Sequence, residues 1–221
     1  MAKKPRARKA GPAKGATKDK RGAKDKDVES RLVDAMLELA ESEGWRGLAV
    51  AAIARKAGVP LAELHPRYGS RTAILVAFTR RIDRAVVAAD FAFAPEDTPR
   101  DRLFEVIMRR FDVLQPHREA LRRIRAGLLV DPVAMAEMLP VFACSMAWML
   151  EAAEIASDGA AGHAKAAGLA GVWMKTLRVW LDDDTPDLAR TMAALDRNLG
   201  RAGRCAEVLF GRGARPSAEA A

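Results

Sequence analysis

Between Arg55 and Arg71 the chain sets Arg55, Lys56, His65, Arg67 and Arg71 among small and apolar residues. Guanidinium, ammonium and imidazole groups gathered in this way suit phosphate oxygens. Arg meets them as a planar fork and Lys as a point charge. The set a nucleic acid would meet is Lys56, Leu61, Ala62, Glu63, His65, Arg67, Tyr68 and Arg71. Glu63 fits it only by accepting from a cytosine amino group, because phosphate repels a carboxylate. Elsewhere the reactive side chains assemble no catalytic centre. His65, His117 and His163 are scattered without metal-ligand spacing. There is no Gly-rich phosphate loop, no CxxC and no nucleophile elbow. Asp182-Asp183-Asp184 reads as a solvated connector. We therefore expect no catalytic residue, no metal and no cofactor, and no enzyme.

Short helices must position the cationic set. Ala51, Ile53 and Ala54 give one apolar face, and Lys56 closes that helix before Gly58, where a sharp turn demands positive φ. Val59 would pack into the angle, and Pro60 suits the first turn of a second helix, Pro60 to His65, which Pro66 shortens. This is a helix-turn-helix pattern, whose second helix enters a major groove. Upstream, Leu32, Val33, Met36, Leu39 and Ala40 mark a helix over Val28–Glu43, ended by Gly44, with Trp45 packing beneath the motif. Leu48 and Ala49 offer no side-chain cap to the next helix, a cost of about 1 kcal/mol.

The residues Ile53-Ala54, Ala57-Gly58-Val59, Leu64, Tyr68, Arg71 and Ile74 resemble the DNA-binding domain of the TetR family of regulators, from roughly Val28 to Val87. That resemblance implies an all-α, TetR-like protein with two parts. The first is a three-helix helix-turn-helix domain (27–92); the second is a helical ligand-binding and dimerisation domain (97–212). It implies DNA and an apolar small molecule as partners. It also implies a homodimer formed through helices near Val141–Ser157 and His163–Leu181, with ligand shifting the dimer between DNA-competent and incompetent spacings. In the family a Thr, a Tyr and a Lys commonly stand where Glu63, His65 and Arg71 align. Arg71 would keep the phosphate contact, and Tyr68 replaces the usual core Phe.

The formal net charge is +8, yet residues 1–26 carry eleven Lys and Arg against two Asp, so the remainder is close to neutral. Such a tail has almost nothing to bury and reads as disordered, as does 213–221. It is either a solvated, solubilising segment or an arm that follows DNA phosphates. Two cysteines, Cys144 and Cys205, in apolar helical patterns suggest no disulfide framework and fit a reducing cytoplasm. The charge-free apolar run Met138–Leu150 is shorter than the ~20 residues a membrane span needs.

Ser70 caps a linking helix that ends before FAFAPEDTP, where the domain boundary is expected, and Thr98 with Pro99 opens the second domain. Pro140 is expected to interrupt or kink the helix begun at Asp131-Pro132. Met108, Phe111, Met135, Met138, Phe142, Met146, Trp148 and Trp173 are the expected lining of a ligand pocket, although Met and aromatic stripes commonly fill cores. The last helix, Pro186 to Phe210 with Thr185 as cap, puts Leu188, Met192, Leu195 and Leu199 opposite Arg190, Arg197, Arg201 and Arg204. It would lie on the domain surface or contact a membrane surface through 186–210.

A second resemblance attaches to this half. Trp180-Leu181, Asp183-Asp184, Pro186-Asp187 and Leu195-Asp196-Arg197 look like the lipid-binding, TetR-fold accessory proteins of ubiquinone biosynthesis. It implies an isoprenoid lipid in the second domain, peripheral membrane contact through the terminal helix, and no operator.

Overall fold

The computed structural model describes the backbone of residues 14–65 and 67–210, and side chains over 25–65 and 67–204. Among the described residues there are helices and no strands. The helix-turn-helix comprises α1 (Lys14–Glu43), α2 (Val50–Ala57) and α3 (Leu61–Leu64). Gly44 and Gly58 end α1 and α2 at φ 79° and 63°, the left-handed conformation that glycine adopts without a Cβ clash. At Gly58 the turn closes with Val59 N–H donating to Ala54 O at 3.0 Å. No side chain caps α2 at Ala49.

The linking helix α4 (Arg71–Val87) starts at Ser70, whose hydroxyl accepts from Ala73 N at 3.1 Å. After it come α5 (Pro99–Leu114), a 3-10 turn (Gln115–His117), α6 (Arg118–Leu128), α7 (Pro132–Ala152), α8 (Gly159–Leu181) and α9 (Ala189–Phe210). Thr98 and Asp101 form a reciprocal capping box at α5, and Asp131 caps α7. Along the chain, α1 packs on α2, α4 and α6, and α4 packs on α5 and α7. Further pairs are α7 with α8, α8 with α9, α9 back onto α5, α5 and α6 with α7, α6 with α8, and α2 with α3. Trp45, 1 % exposed, sits under the helix-turn-helix against α6. Gly127 is the residue that admits it, since a Cβ there would stand 2.5 Å from Trp45 Cβ.

Several boundaries differ from the sequence reading. The first helix begins at Lys14, so the segment from Lys14 to Lys26, read from its charge as disordered, is helical backbone. Lys, Ala and Arg are strong helix formers, and α1 gives them a template to extend. The expected disorder of 1–13 and 213–221 lies outside the described residues, as does Pro66. The recognition helix is a single turn, because Pro60 and His65 are its flanking caps rather than its members. Pro140 does not interrupt α7, which runs unbroken to Ala152. Contact with α4 and α8 holds the helix across the missing N–H. α8 starts at Gly159, before His163, and α9 starts at Ala189, after Pro186. At α9, Leu188 takes φ 54° and Ala189 N donates to Thr185 Oγ1, which delays the helix by three residues. By length and composition α7 could cross a membrane; here it packs between α4 and α8.

Candidate functional site

The helix-turn-helix presents Leu61, Ala62, Glu63 and His65 on its exposed surface, with Leu61 54 % exposed. Of the cations expected to flank them, Arg55 is exposed and makes no side-chain hydrogen bond or ion pair among the described residues, whereas Lys56, Arg67 and Arg71 are engaged within the chain. Lys56 Nζ is 2.9 Å from Glu38, and Arg67 Nη2 is 3.0 Å from Asp25 on α1. Tyr68 is buried and does not face outward, because it occupies a core position and its hydroxyl donates to Glu29 Oε2 at 2.9 Å. Burial, then the Glu29 bond, push its pKa up to about 12. Arg71, half-buried at the start of α4, joins three parts of the fold. Its Nη1 donates to Arg46 O at 3.2 Å, its Nη2 meets Asp131 Oδ2 at 2.9 Å, and its guanidinium lies 5.1 Å from the Trp45 ring centre. The Asp131 carboxyl is held below the usual range first by the Ala134 N–H at the α7 cap and then by Arg71. Arg71 thus ties the helix-turn-helix to the cap of α7.

Among the described residues, cavities border helices α4 to α8, and two concern the expected lining. The inner one, about 70 Å³, is lined by α4, α5, α6, α7 and α8, and four of the expected lining residues border it: Met135, Met138, Phe142 and Trp173. Phe111 and Met146 do not; both are wholly buried core, Phe111 stacking on Trp173 at 4.7 Å. Met108 borders neither cavity and packs half-buried against the core. Trp148 borders the other cavity, a groove of about 680 Å³ between α4 and α7, lined also by Arg80, Asp83, Val87, Pro140 and Cys144.

Between the two lies a charged unit that the sequence reading missed. Arg110, 3 % exposed, reaches from α5 to Asp83 on α4, with Nη1 2.5 Å from Oδ1. Ser145 Oγ on α7 donates to the same oxygen at 2.6 Å, and the guanidinium lies 4.9 Å from the Trp173 ring centre. Burial pulls the Arg110 pKa down, while Asp83 opposes the fall. The signal was present in the spacing, since Arg110 stands in the buried stripe Ile107, Phe111, Leu114 where an apolar residue would be ordinary.

The connector Asp182–Asp184 is not uniformly solvated. Asp183 is wholly buried and accepts from Thr185 Oγ1 at 2.6 Å, Thr191 N at 2.8 Å and Thr191 Oγ1 at 2.7 Å. Burial acts to raise its pKa, but the bonds from Thr185 and Thr191 outweigh it and hold the carboxyl at about 2. Arg118 from α6 donates to the Asp183 and Leu181 carbonyls and lies over Trp180, which is also wholly buried. α9 packs its Leu195 and Leu199 side inward, with Arg190, Arg197, Arg201 and Arg204 exposed. Among the described residues no group of His, Cys, Asp and Glu could hold a metal ion.

Residues 137–206, from within α7 to within α9, match the family model described as COQ9, and this range contains the Trp180–Asp183 junction. The chain is similar in structure to the TetR transcriptional regulator from Nitrosomonas europaea ATCC 19718. That match has 21 % identity and a TM-score of 0.60, and covers 80 % of this chain and 98 % of that one. It is similar also to a TetR transcriptional regulator from Rhodococcus sp. RHA1, at 20 % identity and a TM-score of 0.56 over 79 % of this chain and 94 % of that one. No curated protein matches the sequence significantly. The fold of the described residues is therefore helical and TetR-like, and residues 137–206 are similar to the COQ9 family model.

Proposed function

We propose that this chain is a TetR-fold binding protein whose second domain takes an apolar, isoprenoid-type lipid as an accessory to ubiquinone biosynthesis, without reading an operator. The carrying observation is the engagement of Lys56, Arg67 and Arg71 by Glu38, Asp25 and Asp131. Phosphate would have to displace three carboxylates of the same chain to claim those cations. The COQ9-type match over α7–α9 supports the same reading. As it stands the inner cavity holds about two waters, so a lipid needs Met135, Met138 and Phe142 to move. Methionine, unbranched and polarizable, is suited to such repacking. In this proposal the protein is a cytoplasmic homodimer joined through α7 and α8, and the exposed arginines of α9 meet a membrane surface.

A second reading, a DNA-binding regulator controlled by an apolar ligand, is favoured by the helix-turn-helix itself and by the exposed Leu61, Ala62 and His65. Organic extraction of the purified full chain with mass spectrometry, beside competition binding to genomic DNA fragments at physiological salt, separates the two. The accessory reading expects a co-purifying isoprenoid and only salt-labile, sequence-indifferent DNA binding. Sequence-specific DNA binding that survives physiological salt would overturn it.

A further inference from the structure

The α4/α7 groove sets a cation, unpaired among the described residues, beside apolar walls. On α4, Arg81 and Arg84 are taken by carboxylates of α1, Asp34 at 2.6 Å and Glu29 at 3.0 Å. Arg80, exposed at the groove, makes no hydrogen bond or ion pair among the described residues. The floor is electrically closed, because the Asp83 carboxylate is already met by Arg110 and by the Ser145 hydroxyl. The walls are Val76, Val87, Pro140, Val141, Cys144 and Trp148, and Trp148 leaves 53 % of its surface exposed. An apolar trough of about 680 Å³ lies in the size range of small-molecule sites. Here it carries one unclaimed cation at its edge and a neutral floor.

We infer that this groove is a second ligand site, separate from the inner cavity, for a free anionic amphiphile with a single chain, a long-chain carboxylate. The chain lies along Trp148, Pro140 and Val87, and the carboxylate takes the Arg80 fork. An anionic chain gains over a neutral one because it adds a charge-assisted contact with Arg80 to the burial of its tail. A single head group matches the groove, where Arg84 is paired with Glu29 and Arg80 is not paired among the described residues. The site is independent of the accessory reading, which places its ligand on the other side of the Asp83–Arg110 pair.

The test is calorimetric titration of the full chain with dodecanoate below its micelle concentration, with dodecanol and with vesicles of phosphatidylcholine containing phosphatidylglycerol. One dodecanoate per chain is expected, with dodecanol weaker. Arg80→Gln should weaken dodecanoate about tenfold, the loss of one charge-assisted contact. Arg80→Lys should restore part of it, since the point charge remains. Cys144→Trp, at an exposed wall position, should block binding at an unchanged melting temperature. Met135→Phe, which fills the inner cavity, should leave dodecanoate binding intact. Equal affinity of wild type, Arg80→Gln and Cys144→Trp overturns the site. So does loss through Met135→Phe alone, which would place the ligand in the inner cavity. Arg80-dependent binding to vesicles but not to dodecanoate assigns the groove to a membrane surface and overturns the free-ligand proposal. A concentration-dependent dimer that Cys144→Trp breaks and dodecanoate does not would mean that a second copy covers the groove, with the same consequence.

Discussion

The helix-turn-helix corner and the waist between α4, α5 and α7 both gather charge, and they treat it oppositely. At the corner, Lys56–Glu38 and Arg67–Asp25 are exposed pairs that hold little energy, beside an Arg55 unpaired among the described residues. At the waist, Arg110 and Asp83 are removed from water, so each is costly without the other. The first arrangement decides what the surface offers to a partner. The second decides whether the two sides of α4 hold together. The availability of a cation here follows from which carboxylate the fold brings to it, not from its position in a motif.

The contrast is sharpest when the waist is broken. Asp83→Leu leaves Arg110 buried and unpaired and should cost about 4 kcal/mol in urea unfolding. Adding Arg110→Met should recover most of that loss; failure to recover would mean that the pair does more than cancel its own burial. Next comes Asp183, the other buried carboxylate, whose replacement in Asp183→Ala strands the Thr185 and Thr191 donors at about 3 kcal/mol. Its folded pKa of about 2 lies below the ordinary 3.8, so its contribution is complete above about pH 4. It is then lost as pH falls toward 2. A wild-type stability curve should show that acid limb, and the Asp183→Ala curve should lack its share of it.

Arg71 lies between the two regimes, being half-buried and shared by Trp45, Arg46 and Asp131. Arg71→Ala should cost about 1–2 kcal/mol, and a double-mutant cycle with Asp131→Ala should show a coupling of about 1 kcal/mol. A coupling near zero would return Arg71 to the surface class and reopen its role toward phosphate. The smallest effects belong to the corner. Lys56→Ala and Arg67→Ala should each change stability by less than about 0.5 kcal/mol, the level of exposed ion pairs. A larger loss in either would show that the corner, too, is held by charge.

Much of the first domain was legible in the chain. Gly44, Gly58, Ser70 and the missing cap at Ala49 act locally, and each behaves as its residue type dictates. The apolar spacing of α4, α5 and α9 likewise selects the buried faces that the structure uses. Part of the candidate cavity was legible too, because Met135, Met138, Phe142 and Trp173 do enclose one space. What could not be read was the difference between a pocket and a core. Phe111 and Met146 have the same character and spacing as their neighbours, and only the packing of α5, α7 and α8 sends them inward.

The sequence by itself determined the caps at Ser70, Thr98 and Asp131, the sharp turn at Gly58 and the TetR-like order of elements, because those depend on neighbours a few residues apart. The tertiary structure decided how the charges are used. Arg71 meets Asp131, Arg110 meets Asp83 and Arg118 meets the Asp183 carbonyl only after distant helices dock. A guanidinium reaches a partner by spatial proximity, which sequence spacing does not encode. The same docking leaves Arg80 without one among the described residues, beside a groove of apolar walls.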